Sequence, residues 1–273
     1  MSEEPALPSP VGATVLTLLA WFTVVLGWAL LEDAGPSLGL AVGLCLGFGG
    51  VGTLAARAVP APADVRLGLR GFAPRFALPV LLLVPAILLA SEIDNWVRPL
   101  FPSNPALEAA AASAEEQRFA ALEAVITLVL LRPVLEEFFF RGVVQQGVVA
   151  HLGFPAGLLQ TALLSGLASG GLMLFAGPDR AASAAAQAVF VGLLLGALRQ
   201  GSGSLLAPIL AAVLMQSAGV AAVAAAERYP IQGFTGPPGE HTPLWMLAAC
   251  AAPVALGCFL ALRGRGAEGD SGP

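Results

Sequence analysis

The chain has 273 residues, of which 57% are hydrophobic and only 11% are charged, whereas charged residues make up about a quarter of ordinary soluble domains. This composition excludes a soluble globular protein. The formal net charge is -5, all 13 basic residues are arginine, and they form no basic run. Nucleic-acid binding is therefore excluded as well.

Long apolar runs predict eight helices, and a helix needs about 20 apolar residues to cross a bilayer. In chain order the predicted helices cover residues 12–31, 37–57, 76–93, 119–150, 155–175, 183–199, 204–226 and 243–262. We therefore expect an all-α, polytopic transmembrane helix bundle of about eight spans. The first helix follows Glu3 and Glu4 rather than a basic segment, and its apolar run is too long for a signal-peptide core, so it is interpreted as a retained anchor.

Eight crossings place both termini on one side of the membrane, and the arginine distribution indicates which side. With cytosolic termini, seven arginines lie inside, four lie outside and two belong to the fourth helix. The inner ones are Arg57, Arg66, Arg70, Arg75, Arg199, Arg263 and Arg265, and the outer ones are Arg98, Arg118, Arg180 and Arg228. This bias predicts a multi-pass protein of a bacterial-type plasma membrane with both termini in the cytosol.

The second predicted helix carries small residues at regular spacing. Gly39, Gly43 and Gly47 are four residues apart and share one helix face. Small side chains let two membrane helices approach closely. We expect this face to pack against another helix of the same bundle rather than to form a dimer.

The fourth predicted helix breaks the apolar pattern, because Arg132, Glu136, Glu137 and Arg141 lie within ten residues. A charged side chain near the bilayer centre costs at least about 2.5 kcal/mol, so such residues usually face the bundle interior, pair with one another and mark function. Residues four apart share a helix face, which predicts the ion pairs Arg132–Glu136 and Glu137–Arg141. The alternative is that the cluster only anchors the helix end at the interface, with Arg141 reaching the headgroups.

The pattern Glu136-Glu137-x-x-x-Arg141-Gly142 resembles the first signature of the CAAX-protease and bacteriocin-processing (CPBP, or Abi) family of intramembrane proteases. In that family, later helices supply a Phe-x-x-x-His motif and a His-x-x-x-Asn motif, the latter after a Gly-Ser-x-x-x-Pro-type stretch. Residues 203–210, Gly-Ser-Leu-Leu-Ala-Pro-Ile-Leu, are similar to that stretch. The resemblance divides the chain into 1–118, with three helices and an outer loop, a protease-like core over 119–226, and a last loop, helix and tail over 227–273.

The resemblance implies endoproteolysis of a membrane-associated protein or peptide, such as a prenylated CAAX protein. It implies catalytic roles for Glu136, Glu137 and Arg141. The two later motifs are degenerate, because Ser165 stands at the Phe position, Ser169 and Ala212 at the two His positions, and Gln216 at the Asn position. These four residues, with Arg132, are expected to line the site.

The remaining residues are poor candidates for metal catalysis. A catalytic zinc takes three protein ligands from His, Cys or carboxylate, and the only histidines, His151 and His241, are remote in sequence from the glutamates. Zinc is a cofactor that the family resemblance allows, but its ligands are missing here, so we expect no metal and no other cofactor. The three cysteines, Cys45, Cys250 and Cys258, lie in apolar stretches and are interpreted as small buried hydrophobic residues.

A metal-free route would use Glu136 or Glu137 as a general base on water, and the neighbouring guanidiniums oppose proton uptake by those carboxylates. The sequence therefore predicts a catalytically impaired member, a pseudoenzyme that binds a membrane-associated protein or peptide. A transporter or proton relay using the Glu136 and Glu137 cluster is the alternative, because intramembrane carboxylates also mark ion paths. Gln216 is expected either to bond a glutamate or to form an ordinary interhelical hydrogen bond, and Gln160 and Gln187 are further intramembrane amides.

Overall fold

The computed structural model describes residues 8–102, 125–236 and 239–263, and this part of the chain is helical without strands. We number its long helices α1 to α8. They are α1 Pro10–Leu31, α2 Ser37–Ala56, α3 Pro74–Leu100, α4 over residues 125–152, α5 Phe154–Ala176, α6 Pro178–Ser202, α7 Leu206–Ala224 and α8 Leu244–Arg263. A short helix, Ala63–Leu67, lies between α2 and α3. The predicted all-α polytopic bundle is confirmed.

Seven of these helices are long and apolar enough to cross a membrane, namely all but α4. The large apolar side chains that they leave exposed, such as Phe22, Leu81, Leu163 and Phe259, suit contact with lipid rather than with water. Helix α4 is also long, but every 18-residue stretch of it contains at least three of its four charged residues. Its middle is buried by the other helices, since Phe139, Phe140, Val143 and Val144 are at most 1% exposed. The chain is an integral, multi-pass membrane protein.

The predicted helices agree with the observed ones within a few residues, except at the start of the sixth, which begins at Pro178 rather than at residue 183, and at the end of the third. The prediction ended that helix at residue 93 because polar residues follow, but α3 continues to Leu100. The structure stabilises the extension with long-range partners, because Asn95 donates to the backbone oxygen of Gly233 at 2.7 Å. Residues 119–124 of the predicted fourth helix lie outside the described residues.

Helices α1 and α2 pack through the glycine face that the sequence predicted. A Cβ atom at Gly39 would lie 2.9 Å from the backbone oxygen of Trp28, and one at Gly43 would collide with the backbone of Val24. Gly47 faces Ala20 and Val24 in the same way. The prediction of packing within the bundle is confirmed, because only a hydrogen side chain permits this distance between the helices.

The bundle has two distinct ends. At the basal end, the connection after α2 meets the turn between α6 and α7, where Leu205 N–H donates to Gly68 O at 2.8 Å and Arg199 donates to Arg66 O at 3.0 Å. At the opposite end, α3 ends beside the start of α6, where the Arg98 and Asp179 side chains lie 3.4 Å apart. These two ends define the directions used below.

Helix α3 is interrupted near its middle. Residues 83–85 form a turn between the helical stretches Ala77–Leu82 and Ala86–Val97. Across it the backbone makes tighter bonds between residues three apart, for example Val84 N–H to Leu81 O at 3.1 Å. Pro85 lacks a backbone donor, which explains the break at this point.

Candidate functional site

The charged cluster of α4 lies between two widened stretches of that helix. Residues Thr127–Leu131 and Phe138–Val144 wind as π-helix, and Arg132–Glu137 between them is α-helical. Pro133 lies two residues after the end of the first wide stretch, whose altered hydrogen bonding accommodates the missing proline donor. Wide turns of this kind occur frequently at functional sites.

Both predicted ion pairs are present. Arg132 Nε lies 2.8 Å from Glu136 Oε1, and Arg141 Nη1 lies 2.8 Å from Glu137 Oε1. The Arg132–Glu136 side chains are 23% and 21% exposed, whereas the Arg141–Glu137 side chains are 3% and 4% exposed. The second pair is therefore buried in the bundle, so the alternative in which Arg141 reaches the headgroups is wrong.

The buried pair is incompletely satisfied. Glu137 Oε2 and Arg141 Nε are fully enclosed, and neither has a hydrogen-bond partner among the described residues. Buried polar atoms normally have a partner, which is often an ordered water. In the protein interior, this pair therefore keeps one hydrogen-bond acceptor and one hydrogen-bond donor for which α4 itself supplies no partner.

A cavity of about 230 Å³ adjoins the two pairs. It brings together all eight residues that the sequence singled out: Arg132, Glu136, Glu137, Arg141, Ser165, Ser169, Ala212 and Gln216. They come from α4, α5 and α7, so three separate motif positions converge on one space. The remaining walls are mainly apolar and come from α3, α5, α6 and α7, among them Ile87, Met173, Val191 and Met215.

Helix packing explains this convergence. Gly166 and Gly170 of α5 lie directly against α6, where a Cβ atom on Gly170 would be 2.8 Å from Ala181 O. Gly192 of α6 lies beside both Ala162 and the Arg141 guanidinium. These close approaches place Ser165 and Ser169 of α5 at the cavity wall without bulky neighbours.

Gln216 lines the cavity, but it makes neither of the two predicted bonds within the described part of the chain. Gln160 forms an interhelical bond near the basal end, from its amide to Pro10 O at 2.9 Å. Gln187 lines the cavity as well, and its amide donates to Ser183 Oγ at 2.9 Å.

The two histidines lie away from the cavity. His151 Nδ1 is 2.9 Å from Gly147 O at the far end of α4. His241 Nδ1 is 2.7 Å from Glu92 Oε1, and its ring stacks on Trp96 with centroids 4.5 Å apart. The sequence expectation that neither histidine joins the glutamate cluster agrees with this placement.

The residues at the cavity do not fit a catalytic metal. Both glutamates are held by guanidiniums, and the other polar groups that line the cavity are hydroxyls and amides. Among the described residues no three His, Cys, Asp or Glu side chains are grouped to hold an ion. The two nearby guanidiniums would also repel a cation. The three cysteines are free, and Cys45 is exposed rather than buried as its apolar surroundings suggested.

Comparison with protein families gives a match that falls on this site. Residues 118–218 match the model described as Rce1-like, type II CAAX prenyl endopeptidase Rce1-like. This segment is therefore similar to the Rce1-like type II CAAX prenyl endopeptidases. The predicted resemblance is thereby confirmed over somewhat more than a third of the chain, and the Rce1-like segment contains every sequence-predicted site residue. Comparisons with curated proteins and with solved structures give no match.

Proposed function

We propose that this protein uses the cavity of its Rce1-like segment to bind part of a membrane-associated protein or peptide, and that hydrolysis there is impaired. One observation carries the proposal: both motif glutamates are paired with guanidiniums in a cavity whose lining contains no imidazole. The family match supports the class of ligand. The cavity supports binding, because it offers both polar and apolar side chains to part of a peptide.

The impairment follows from the demands of hydrolysis. A general base must accept a proton from water in the reacting complex, and an imidazole is the usual group at neutral pH. Ser169 and Ala212 occupy the positions where the family pattern has histidine, and neither side chain can replace that group. Glu136 already accepts a charge-assisted bond from Arg132 at 2.8 Å. That bond occupies one of the carboxylate oxygens that a water would otherwise have to approach.

We further propose that the termini are cytosolic. The described arginines at the basal end are Arg57, Arg66, Arg70, Arg75, Arg199 and Arg263, whereas the opposite end has Arg98, Arg180 and Arg228. Excess arginine marks the cytoplasmic side. Under this orientation the end at which α3 meets α6 faces away from the cytoplasm.

The deciding experiment is a cleavage and binding assay on the purified full-length protein with a prenylated peptide that ends in a CAAX-type sequence. We expect the unmodified protein to bind the peptide without cleaving it. The triple variant Ser169→His, Ala212→His, Gln216→Asn should gain cleavage, because it restores the missing groups at the cavity wall. Adding Glu136→Gln to the triple variant is the matched control and should remove the gained activity.

Binding needs its own control. Ser169→Phe fills the cavity and should abolish peptide binding, while Ser217→Ala on the neighbouring α7 should leave binding unchanged, because the Ser217 hydroxyl bonds its own helix at Val213 O. Cleavage by the unmodified protein would refute the impairment. Absence of binding by the correctly folded protein would refute the binding function.

A proton relay is the second candidate, and one observation favours it. A chain of polar contacts runs from Arg98 through Asp94 and Ser183 to Gln187 at the cavity. Intramembrane carboxylates mark proton paths, and the Asp94 carboxylate and the Ser183 hydroxyl are the members of this chain that can pass a proton. Proton-dependent flux in liposomes that is abolished by Glu136→Gln would favour transport, and lack of flux with retained peptide binding would exclude it.

A further inference from the structure

A second cavity, of about 320 Å³, lies at the end of the bundle where α3 ends and α6 begins. We call this cavity the vestibule. Its lining includes charged groups of both signs, in Asp94, Arg98 and Arg180, together with the hydroxyls of Ser91 and Ser183. The ring of Phe234, from the loop before α8, completes one wall.

The vestibule adjoins the glutamate cavity. Four residues line both spaces: Ile87, Met173, Ala184 and Gln187. They come from α3, α5 and α6, and they form a neck between the two spaces. The neck is mostly apolar, and Gln187 is its single polar member.

Gln187 is held in the neck by a hydrogen-bonded chain that begins at the vestibule. Its amide donates to Ser183 Oγ at 2.9 Å, and the Ser183 hydroxyl bonds the Asp94 carboxylate across the α3–α6 interface. Asp94 is in turn paired with Arg98 at 3.6 Å. Because this chain uses one N–H of the Gln187 amide, the second N–H and the side-chain oxygen remain to meet whatever passes the neck.

The other side of the glutamate cavity is packed. Gln145 is fully buried and donates to Gly196 O at 2.9 Å, and Leu195 and Leu198, on either side of Gly196 in α6, are at most 2% exposed. Protein interiors packed to this degree leave no space for a solute. The vestibule, which shares four lining residues with the glutamate cavity, is therefore one space through which that cavity continues toward the surface.

We infer that the vestibule is the mouth of the glutamate cavity and that Gln187 is the residue that determines what passes between them. The vestibule offers hydrogen-bond donors, hydrogen-bond acceptors and side chains of both charges. These groups suit the polar backbone of an extended peptide rather than a lipid chain. The smaller, more apolar inner cavity then takes an adjoining apolar side chain. The nature of this occupant rests on the proposed binding function, whereas the route itself does not.

The route is tested by cysteine labelling in proteoliposomes that hold the full-length protein with Cys45, Cys250 and Cys258 replaced by alanine. One variant carries Ser91→Cys in the vestibule and another carries Ser169→Cys in the inner cavity. A charged, membrane-impermeant thiol reagent is added to one side at a time. We expect both cysteines to react from the same side, and Ser91→Cys to react faster.

Two substitutions in the neck make the result specific. Ala184→Phe should abolish labelling of Ser169→Cys while labelling of Ser91→Cys persists, because the phenyl ring closes the neck below the vestibule. Gln187→Ala should speed labelling of Ser169→Cys and leave Ser91→Cys unchanged. If Ala184→Phe does not fold, the Gln187→Ala comparison decides the question by itself.

Several results would overturn the inference: labelling of Ser169→Cys from the side opposite to Ser91→Cys, labelling that persists through a folded Ala184→Phe, an unchanged rate in Gln187→Ala, or failure of either cysteine to react. None of these measurements uses a ligand. A failed route is therefore distinguishable from a failed binding function, which the peptide assay reports separately.

Discussion

Two buried carboxylates of the protein, Glu137 and Glu92, are held in different ways. Glu137 pairs with Arg141 one turn along its own helix and keeps an unsatisfied oxygen beside a cavity. Glu92 instead accepts bonds from a distant loop, from Thr242 N–H at 2.9 Å and from His241 Nδ1 at 2.7 Å, with Asn95 donating at 3.2 Å. Glu92 lines neither of the two cavities described above.

This difference distinguishes Glu92, a carboxylate with a structural role, from Glu137, a carboxylate of the candidate functional site. At Glu92 the hydrogen bonds saturate the carboxylate and tie the loop before α8 to the end of α3. At Glu137 the pairing is local, so the surrounding helices are free to leave a space next to it. Burial of an acidic group alone is therefore a weak indicator of function, whereas burial together with an unsatisfied atom and an adjoining cavity is a strong one.

The largest expected effect comes from breaking the buried pair. Arg141→Gln leaves the Glu137 charge enclosed without its cation, and removing one partner of a buried pair costs about 3–5 kcal/mol. We expect a large loss of stability in detergent-denaturation measurements. Replacing both partners by apolar residues of similar size, Glu137→Leu with Arg141→Met, should recover most of it, because no charge remains buried.

Arg132→Gln is the matched control for this prediction. The Arg132 and Glu136 side chains are about one-fifth exposed, so solvent stabilises the Glu136 carboxylate after its cation is removed. The loss of stability should therefore be clearly smaller than for Arg141→Gln. Equal losses in the two single variants would contradict the distinction between a buried and a partly exposed pair.

An intermediate effect is expected from the structural carboxylate. Glu92→Ala removes the acceptor for the Thr242 N–H and the partner of His241, and hydrogen bonds to a charged group are worth about 1.5–3 kcal/mol each. We expect a loss of about 2 kcal/mol together with faster proteolysis of the loop before α8. Peptide binding to the purified, folded variant should be unchanged.

His241→Ala serves as the milder comparison, since that side chain is 46% exposed and Thr242 keeps its bond to Glu92. If the Glu92→Ala variant loses peptide binding at temperatures where it is folded, Glu92 is not a purely structural carboxylate. The distinction drawn above between Glu92 and Glu137 would then be wrong.

The smallest effect is expected from a surface pair outside the spans. Arg70 donates to Asp64 at 3.1 Å, and this bond lowers the pKa of the Asp64 carboxyl. A lowered pKa contributes stability above the unfolded value of about 3.9, and that contribution is lost as the pH falls through the folded pKa. Exposed pairs contribute little. Asp64→Asn should therefore match the parent protein at low pH and differ only slightly at neutral pH. A large difference at neutral pH would show that this pair has a role beyond its exposed contact.

The features that could be predicted from sequence are those set by local spacing. The ion pairs of α4 follow from residues four apart on one helix, and the α1–α2 contact follows from the glycines at the same spacing. The convergence of Ser169, Ala212 and Gln216 on one cavity was predicted from the family motifs rather than from physical chemistry. In each case the information lies within a single helix or a single motif.

The features that could not be predicted depend on residues distant in the chain. The extension of α3 to Leu100 depends on partners about 140 residues away, such as Gly233. The vestibule combines Asp94 and Arg98 of α3 with Ser183 and Gln187 of α6. The only sequence signal was the polar character of Gln187 within an apolar run, which does not reveal its partner.

The interruption of α3 has a mechanical consequence. The part of α3 after Pro85 carries Ile87 of the neck and Ser91, Asp94 and Arg98 of the vestibule, while the part before it packs at the basal end. Helices bend sharply at prolines and at interruptions of their hydrogen bonding. Tilting of the part of α3 after Pro85 about residues 83–85 would therefore change the width of the vestibule opening. The part of α3 before residue 83 would keep its position at the basal end.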